Sequence, residues 1–150
     1  MRLTLRELTD ADHPVLFEHQ RDPESAKMAA VPIREWQPYL ERRRQTLADP
    51  EVVLRAIEID GVLVGDIVSF PIDGVRAVGY RIGREFWGRG IATAALRGFL
   101  RMIPDRPLHA HVAVHNGGSL RVLEKVGFQP EGEPAVDEAD GVLLQTMVLR

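Results

Sequence analysis

Two Asp-Gly pairs, Asp60-Gly61 and Asp73-Gly74, constrain the fold of this chain more than any other feature of its sequence. Each pair interrupts a run rich in β-branched and other apolar residues. An Asp-Gly pair between two such runs is a strong signal for a two-residue β-hairpin, because both central residues of a type I′ turn need positive φ. The stretch 52–82 is therefore expected to form three consecutive antiparallel strands.

The residues before these hairpins predict one strand and two helices. Apolar and polar residues alternate over residues 3–5 as in a strand, and Thr9 or Asp10 can cap a helix after it. A second amphipathic helix is expected over Trp36–Ala48. Prolines recur through the stretch 21–38, which we therefore interpret as a shaped loop.

The residues after the hairpins predict two more helices and further strands. Apolar residues recur at helical spacing after Gly90, and Pro104 should close that helix. A strand over 108–114, a helix over 119–126 and a strand pair ending in 142–149 should follow. These elements predict a single α+β domain over residues 1–150, with a mixed, mostly antiparallel twisted sheet flanked by about four helices.

Composition narrows the classes of partner and the chemistry available to the chain. The 150 residues are 45% hydrophobic and 27% charged, which suits one packed core. A net charge of −3 provides no general attraction for nucleic acid or an anionic membrane. The absence of cysteine excludes disulfides, thiolate metal sites and a cysteine nucleophile. With no signal peptide or membrane span in the sequence either, we expect a cytoplasmic protein without a metal, a nucleic-acid partner or a membrane partner.

The stretch Gly88-Arg89-Gly90-Ile91-Ala92 is the strongest candidate for a ligand site. Its two glycines allow a tight turn and a close approach of the backbone to a ligand. The helix that follows offers unpaired amides and the positive end of its dipole, which together favour a phosphate, and Arg84 and Arg89 could add charge. The P-loop and Rossmann patterns do not fit, because the glycines are not followed by Lys-Ser/Thr or embedded in a βαβ unit. An ordinary strand-to-helix turn is the alternative interpretation.

A resemblance to a known family gives this turn a specific meaning. The segment 79–96, Gly-Tyr-Arg-Ile-Gly-Arg-Glu-Phe-Trp-Gly-Arg-Gly-Ile-Ala-Thr-Ala-Ala-Leu, resembles the cofactor motif of the GNAT superfamily of N-acetyltransferases. Its style is that of the branch containing the ribosomal-protein N-terminal acetyltransferases. Downstream, Asn116, Ser119 and the segment 123–128 resemble the second motif of that branch.

The resemblance implies a GNAT-like fold with splayed central strands and acetyl-CoA as acyl donor. It also implies roles for individual residues: the strand at Tyr80 would pair with pantetheine, the amides after Trp87 would hold the pyrophosphate, Asn116 would bond the pantetheine arm or brace the strands, and Ser119 would face the thioester sulfur. The cofactor residues implied are Tyr80, Arg81, Ile82, Trp87, Gly88, Arg89, Gly90, Ile91, Ala92, Thr93, Asn116 and Ser119. Arg34, Trp36 and Tyr39 lie in the region that forms the acceptor pocket in this superfamily, and packing of the second helix is the alternative role for Trp36 and Tyr39.

Two departures from the family pattern affect catalysis. Leu123 stands where many members have a tyrosine general acid, and Ala77 stands where the branch often has a strand glutamate. An α-amine, with a pKa of about 7.7 to 8.0, is neutral in roughly a tenth of molecules at pH 7, so it can react without a strong base. We expect Ser119 to assist the leaving thiolate, and backbone amides near Ile82 and Gly83 to meet the oxyanion.

The strand before Asn116 supplies candidate bases. His109, His111 and His115 alternate along it, and His111 is the best placed of the three to collect the amine proton. The alternative is that they are surface or cavity-lining histidines. Asp66 and Ser69, on the middle hairpin strand, could line the same cleft. The predicted reaction is direct attack of a primary amine, from a peptide N-terminus or a small molecule, on acetyl-CoA in a ternary complex. The alternative is a catalytically silent acyl-CoA-binding sensor or interaction domain. A homodimer could form if the strand at 142–149 paired between copies, although an intramolecular sheet explains that strand equally well.

Overall fold

The computed structural model describes all 150 residues, which form five α-helices and an eight-stranded sheet. The helices are α1 (Asp12–Arg21), α2 (Pro23–Ala29), α3 (Trp36–Ala48), α4 (Ile91–Leu100) and α5 (Gly117–Lys125). The strands are β1 (Leu3–Arg6), β2 (Val53–Ile59), β3 (Val62–Ile72), β4 (Val75–Ile82), β5 (Leu108–Ala113), β6 (Gln129–Pro130), β7 (Ala135–Val136) and β8 (Leu143–Leu149).

Both predicted hairpins are confirmed. Asp60 and Gly61 have φ of 51° and 82°, and Asp73 and Gly74 have φ of 50° and 79°, as two-residue turns of the type I′ class require. Strands β2, β3 and β4 pair antiparallel in sequence, with one irregularity in the β2–β3 register after Ile57. The turn at residues 73–74 sets the register of β3 against β4 and places Asp66 directly opposite Arg81.

The sheet opens between β4 and β5. The strand order is β1-β2-β3-β4-β5-β8-β6, with β7 also paired to β8. All neighbours are antiparallel except β4 and β5, which pair in parallel only at Arg76–Leu108 and Ala77–His109. Beyond these two pairs the strands separate, which leaves the facing edges of β4 and β5 unpaired. The expected fold class, including the splayed central strands, is confirmed.

Helices cover both faces of the sheet. The main core packs Ile67, Leu96, Phe99 and Leu108, with other apolar residues, between the sheet and helices α4 and α5. A smaller cluster of Leu16, Phe17 and Tyr39 forms where α1 and α3 cover the opposite face. Because side chains alternate along a strand, each residue of β4 is assigned to one of these two faces.

Helix α3 begins and ends where the sequence predicts, but the loop predicted over 21–38 is wrong for Pro23–Ala29, which form helix α2. Proline at the first position of a helix loses no hydrogen bond and has a suitable φ, so Pro23 starts α2 instead of preventing it. There are consequently five helices instead of about four. The caps predicted for α1 are also wrong, because Ala11 occupies the N-cap position and no side chain caps the helix; the Asp12 carboxylate instead accepts the Thr9 amide at 2.8 Å.

Strand β8 is interior to the sheet. It pairs with β5 along one side and with β6 and β7 along the other. The apolar residues at 143–149 are thus explained by intramolecular pairing. No helix has the length and apolar character needed to span a bilayer. No three His, Asp or Glu side chains come together in a metal-binding arrangement.

Candidate functional site

The glycine-rich turn joins β4 to α4. A short 3-10 turn over Arg84–Phe86 follows β4, and Gly90 caps the start of α4. Gly88 and Gly90 have φ of 76° and 75°, in the left-handed region that favours glycine. A Cβ at either position would meet no neighbouring atom within 4 Å, so the backbone conformation is what requires glycine here.

Six consecutive amides in this turn have no acceptor within the protein. The amides of Phe86 and Trp87 donate to Gly83 and Arg84, and the next backbone donor with a protein acceptor is Ala94, which bonds the Gly90 carbonyl. The amides of residues 88–93 are therefore free, at the positive end of the α4 dipole. This is the arrangement that binds a pyrophosphate at a helix N-terminus.

The side chains of this turn make contacts within the protein that hold the turn in place. The Trp87 indole donates to the Ile82 carbonyl at 2.8 Å, which ties the turn back to the end of β4. Arg84 pairs with Asp22 at 3.0 Å, and the Arg89 guanidinium lies 5.7 Å from the centre of the Phe86 ring. Upstream, Tyr80, Arg81 and Ile82 lie on the part of β4 that has separated from β5.

A Tyr-Ser pair lies on the α4–α5 side of this opening. The hydroxyl of Tyr80, on β4, is 2.8 Å from the Ser119 Oγ, on α5. Burial raises the pKa of Tyr80, so its hydroxyl stays protonated at neutral pH. Asn116 caps α5 by accepting the Ser119 amide at 3.2 Å, which fixes the backbone of the serine. Tyr80 of the glycine-turn segment and Ser119 and Asn116 of the downstream motif thus meet at one point.

The two departures from the family pattern are apolar and buried. Leu123 and Ala77 are each 1% exposed, so neither position offers a polar group. The Gly83 amide, expected to face an oxyanion, instead donates to the Val64 carbonyl at 2.8 Å, so that expectation is wrong for this amide. A Cβ at Gly83 would lie 2.7 Å from the His19 ring, which explains the glycine by close packing.

The histidines of β5 lie on the other face of the sheet from Tyr80. His109 pairs with Ala77 across the parallel junction, and His111 follows two residues on, on the same face. The His111 Nδ1 lies 3.2 Å from the Thr146 Oγ1. Partial burial, and then the neighbouring His109, lower the pKa of His111, so it is neutral at pH 7. His115 instead contacts the Lys27 carbonyl of α2 at 2.9 Å.

A cavity of about 550 Å³ lies on the same face as His111, beneath α1 and α3. Of the residues expected to contact an acceptor, Arg34 and Tyr39 line it. Trp36 does not, because its ring packs edge-on against Phe17 with ring centroids 5.2 Å apart. The volume suits a small molecule or the first residues of a peptide.

Asp66, predicted as a possible residue of the cleft, lines the cavity, where it meets arginines that the sequence did not predict beside it. The carboxylate of Asp66 pairs with Arg43 of α3 at 2.5 Å, and Arg81 lines the cavity from β4. The hairpin at 73–74 could have shown that Asp66 and Arg81 are cross-strand neighbours, because a two-residue turn sets the register. No signal in the sequence shows that Arg43 reaches Asp66 from a helix more than 20 positions away.

Residues 2–129 match the family described as Acetyltransferase (GNAT) domain. An uncharacterized N-acetyltransferase p20 from Bacillus licheniformis is 28% identical, with the match spanning 87% of this chain and 81% of that protein. Among solved structures, the spermidine N-acetyltransferase of Vibrio cholerae in complex with CoA and spermine superposes with a TM-score of 0.86 at 19% identity, covering 98% of this chain and 94% of that one. An aminoglycoside acetyltransferase in complex with coenzyme A has a TM-score of 0.79 at 17% identity, covering 98% and 95%.

The family match extends over most of the chain and includes the free amides of the glycine turn and the Tyr80–Ser119 pair. The chain belongs to the GNAT acetyltransferase family. It is an N-acetyltransferase that uses acetyl-CoA as cosubstrate and transfers the acetyl group to an amine. The free amides of residues 88–93 fit the pyrophosphate of that cosubstrate.

Proposed function

We propose that this enzyme acetylates a primary amine by direct attack on acetyl-CoA in a ternary complex, with Ser119 assisting the leaving thiolate. The observation that carries the proposal is the 2.8 Å contact between the Tyr80 hydroxyl and the Ser119 Oγ. It gives the serine a second hydroxyl as support at the opening between β4 and β5. The pair would assist the leaving thiolate in place of the tyrosine general acid that many family members have at the position of Leu123.

The pair would act as a hydrogen-bond donor and not as the final proton source. The reference thiol pKa is about 8.5 and that of tyrosine about 10, and burial raises the pKa of Tyr80 further. Moving a proton from Tyr80 to the thiolate would therefore be uphill by at least about 2 kcal/mol. A chain in which Tyr80 donates to Ser119 and Ser119 donates to sulfur stabilises the thiolate without ionising the phenol.

The amine proton would leave on the opposite face of the sheet. The amine nitrogen attacks the thioester carbonyl, the C–S bond breaks, and the ammonium proton passes to His111 or to water. The lowered pKa of His111 keeps its imidazole neutral at pH 7 and thus able to accept that proton. The acceptor enters from the cavity side, so that acid and base assistance come from different faces of the sheet.

The nature of the amine is proposed from the cavity and the motif. A volume of about 550 Å³ accommodates a small-molecule amine or a peptide N-terminus. The Trp87-Gly88-Arg89-Gly90 motif supports placing the chain nearest the ribosomal-protein N-terminal acetyltransferases. For a peptide α-amine, the low amine pKa would compensate for the absence of a strong base. A cytoplasmic location and a homodimer stay predictions.

Two measurements test this function. Isothermal titration with acetyl-CoA, and with NAD and ATP as comparators, should show selective binding of acetyl-CoA. Thiol release should then be followed with a panel of peptide α-amines, diamines and amino acids. Saturable release that depends on the amine supports the proposal, whereas tight binding with no release from any amine would favour a silent acyl-CoA sensor.

A further inference from the structure

The cavity beneath α1 and α3 is rich in positive charge. Its lining contains four arginines (Arg34, Arg42, Arg43 and Arg81) but only two carboxylates, Asp49 and Asp66. Two positive charges are therefore in excess within a concave site, where low-dielectric walls strengthen their field. An excess of this kind in an acceptor cavity bears directly on which amines can enter.

Arg81 is the arginine of this cavity that has a buried nitrogen without a hydrogen-bond acceptor. It lies directly opposite Asp66 in the β3–β4 pair, yet the Asp66 carboxylate is bound by Arg43. The Arg81 guanidinium makes no hydrogen bond or ion pair with the protein, and its Nη1 is buried without an acceptor. Burial is the main cause that lowers the pKa of Arg81; Asp66 and Tyr39 oppose this shift, while the nearby Arg43 and Arg34 add to it. A buried guanidinium in this situation is stabilised by an added anion.

Arg34 adds a second guanidinium at the entrance. Its backbone is fixed on both sides by Gln20 of α1, which donates to the Arg34 carbonyl at 2.8 Å and accepts the Arg34 amide at 3.0 Å. Its own side chain has no acceptor in the protein, while burial and the neighbouring Arg42 lower its pKa. The clamp holds the loop between α2 and α3 so that Arg34 lines the cavity with Arg81.

We propose that the acceptor is a small amine that also carries an anionic group, a carboxylate or a phosphate, bound by Arg81 and Arg34. This inference rests on the proposed acetyl transfer and specifies its substrate class. The planar guanidinium fork suits both groups, since each presents paired oxygens. The same excess of positive charge would oppose a polycation such as spermine, the ligand present in the Vibrio cholerae structure.

Equilibrium titration of the CoA-saturated protein tests the inference without requiring turnover. The probes are matched pairs: 4-aminobutanoate with 4-aminobutanamide for a carboxylate, and O-phosphoethanolamine with ethanolamine for a phosphate, with spermine as the polycation. Saturation with CoA occupies the cofactor phosphate site. We expect the anionic member of at least one pair to bind roughly 10- to 100-fold more tightly than its neutral partner, the range of one charged hydrogen-bonded contact.

Variants identify the site. Arg81→Gln should remove most of that difference, and Arg34→Gln, a loop residue whose side chain bonds nothing, should reduce it without risk to the fold. Arg44→Gln is the matched control, because Arg44 is an exposed residue of α3 that does not line this cavity. Circular dichroism melting checks that each variant is folded.

Several results would overturn the inference. Equal binding of charged and neutral partners, tighter binding of spermine than of either anionic probe, no binding by any anionic probe, or an effect of Arg44→Gln equal to that of Arg81→Gln would each do so. Thiol release measured in parallel separates the two proposals. Release with neutral amines or spermine would leave acetyl transfer standing while the anionic acceptor fails. Arginine-dependent binding of an anionic amine with no release from any amine would leave the anionic-ligand site standing while the proposed acetyl transfer fails.

Discussion

Removing the Ser119 hydroxyl is the most direct test of the proposed chemistry. In Ser119→Ala the α5 cap should survive, because Asn116 accepts the backbone amide of residue 119 and not its side chain. What is lost is the donor to the thiolate and the 2.8 Å partner of the Tyr80 hydroxyl. The expected stability cost is about 1 kcal/mol, for one hydrogen bond whose remaining partner is partly buried.

The effect on turnover should be larger. A hydrogen bond to a charged group contributes about 1.5 to 3 kcal/mol, and each 1.36 kcal/mol is a factor of ten in rate. We therefore expect kcat to fall roughly 10- to 150-fold. The KM for acetyl-CoA should change little, because the contact strengthens only as negative charge develops on sulfur.

Steady-state thiol release gives both constants, and Tyr80→Phe serves as the companion variant. It keeps the ring that packs against the core but removes the hydroxyl that supports Ser119. The double variant should cost less than the two single losses combined, because the hydroxyls act as one chain. A Ser119→Ala enzyme with kcat within twofold of the parent, or with a change in KM alone, would refute the assignment.

Three further predictions concern the cofactor turn, the base and the fold. Gly90→Val should weaken acetyl-CoA binding at least tenfold by titration calorimetry, because residue 90 needs a φ of 75°. Gly61→Val is the control: its φ is 82° and its surroundings are equally open, so it should cost similar stability and leave binding unchanged. His111→Gln should lower kcat/KM about 10- to 100-fold. In the parent, kcat/KM corrected for the fraction of neutral amine should fall below pH 6.5, because the pKa of His111 is lowered, and the variant should lose this fall; an unchanged corrected profile would assign the proton to water. Asp12→Asn should destabilise the fold by about 1 to 3 kcal/mol at pH 7 in urea melts: Arg6 lowers the pKa of Asp12 below 3.8, so this stability exists above that pH and is lost as pH falls further, and the variant should lose that dependence.

Much of the architecture followed from local chemistry. Asp60-Gly61 and Asp73-Gly74 predict their turns because the positive φ they adopt is a property of the residues themselves. The bounds of α3 follow likewise from periodicity over a few turns. Helix α2 does not follow from the breaker effect of proline, which predicts a loop over the whole stretch 21–38, because proline is favourable at the first position of a helix.

The candidate site likewise has features that the sequence predicts and features that only the tertiary structure shows. The free amides after Trp87 could be anticipated, since the first amides of a helix have no partner within the helix and the glycine turn supplies no side chain to cap them. The sequence could not show which side chains meet in the site. Tyr80 and Ser119 are 39 positions apart, and their contact depends on the face of β4 and on how α5 packs against it.

The local pattern of this chain determined its hairpins and its glycine turn, because such turns and phosphate-binding amides are set by contacts over a few residues; its family followed from the resemblance of the segment 79–96. The tertiary structure alone decided that Arg43 binds Asp66 and leaves Arg81 without a partner. That outcome depends on how helix α3 lies over the sheet, and the packing of distant elements is not encoded in any short segment. The charge of the acceptor cavity, and with it the proposed substrate class, follows from that packing.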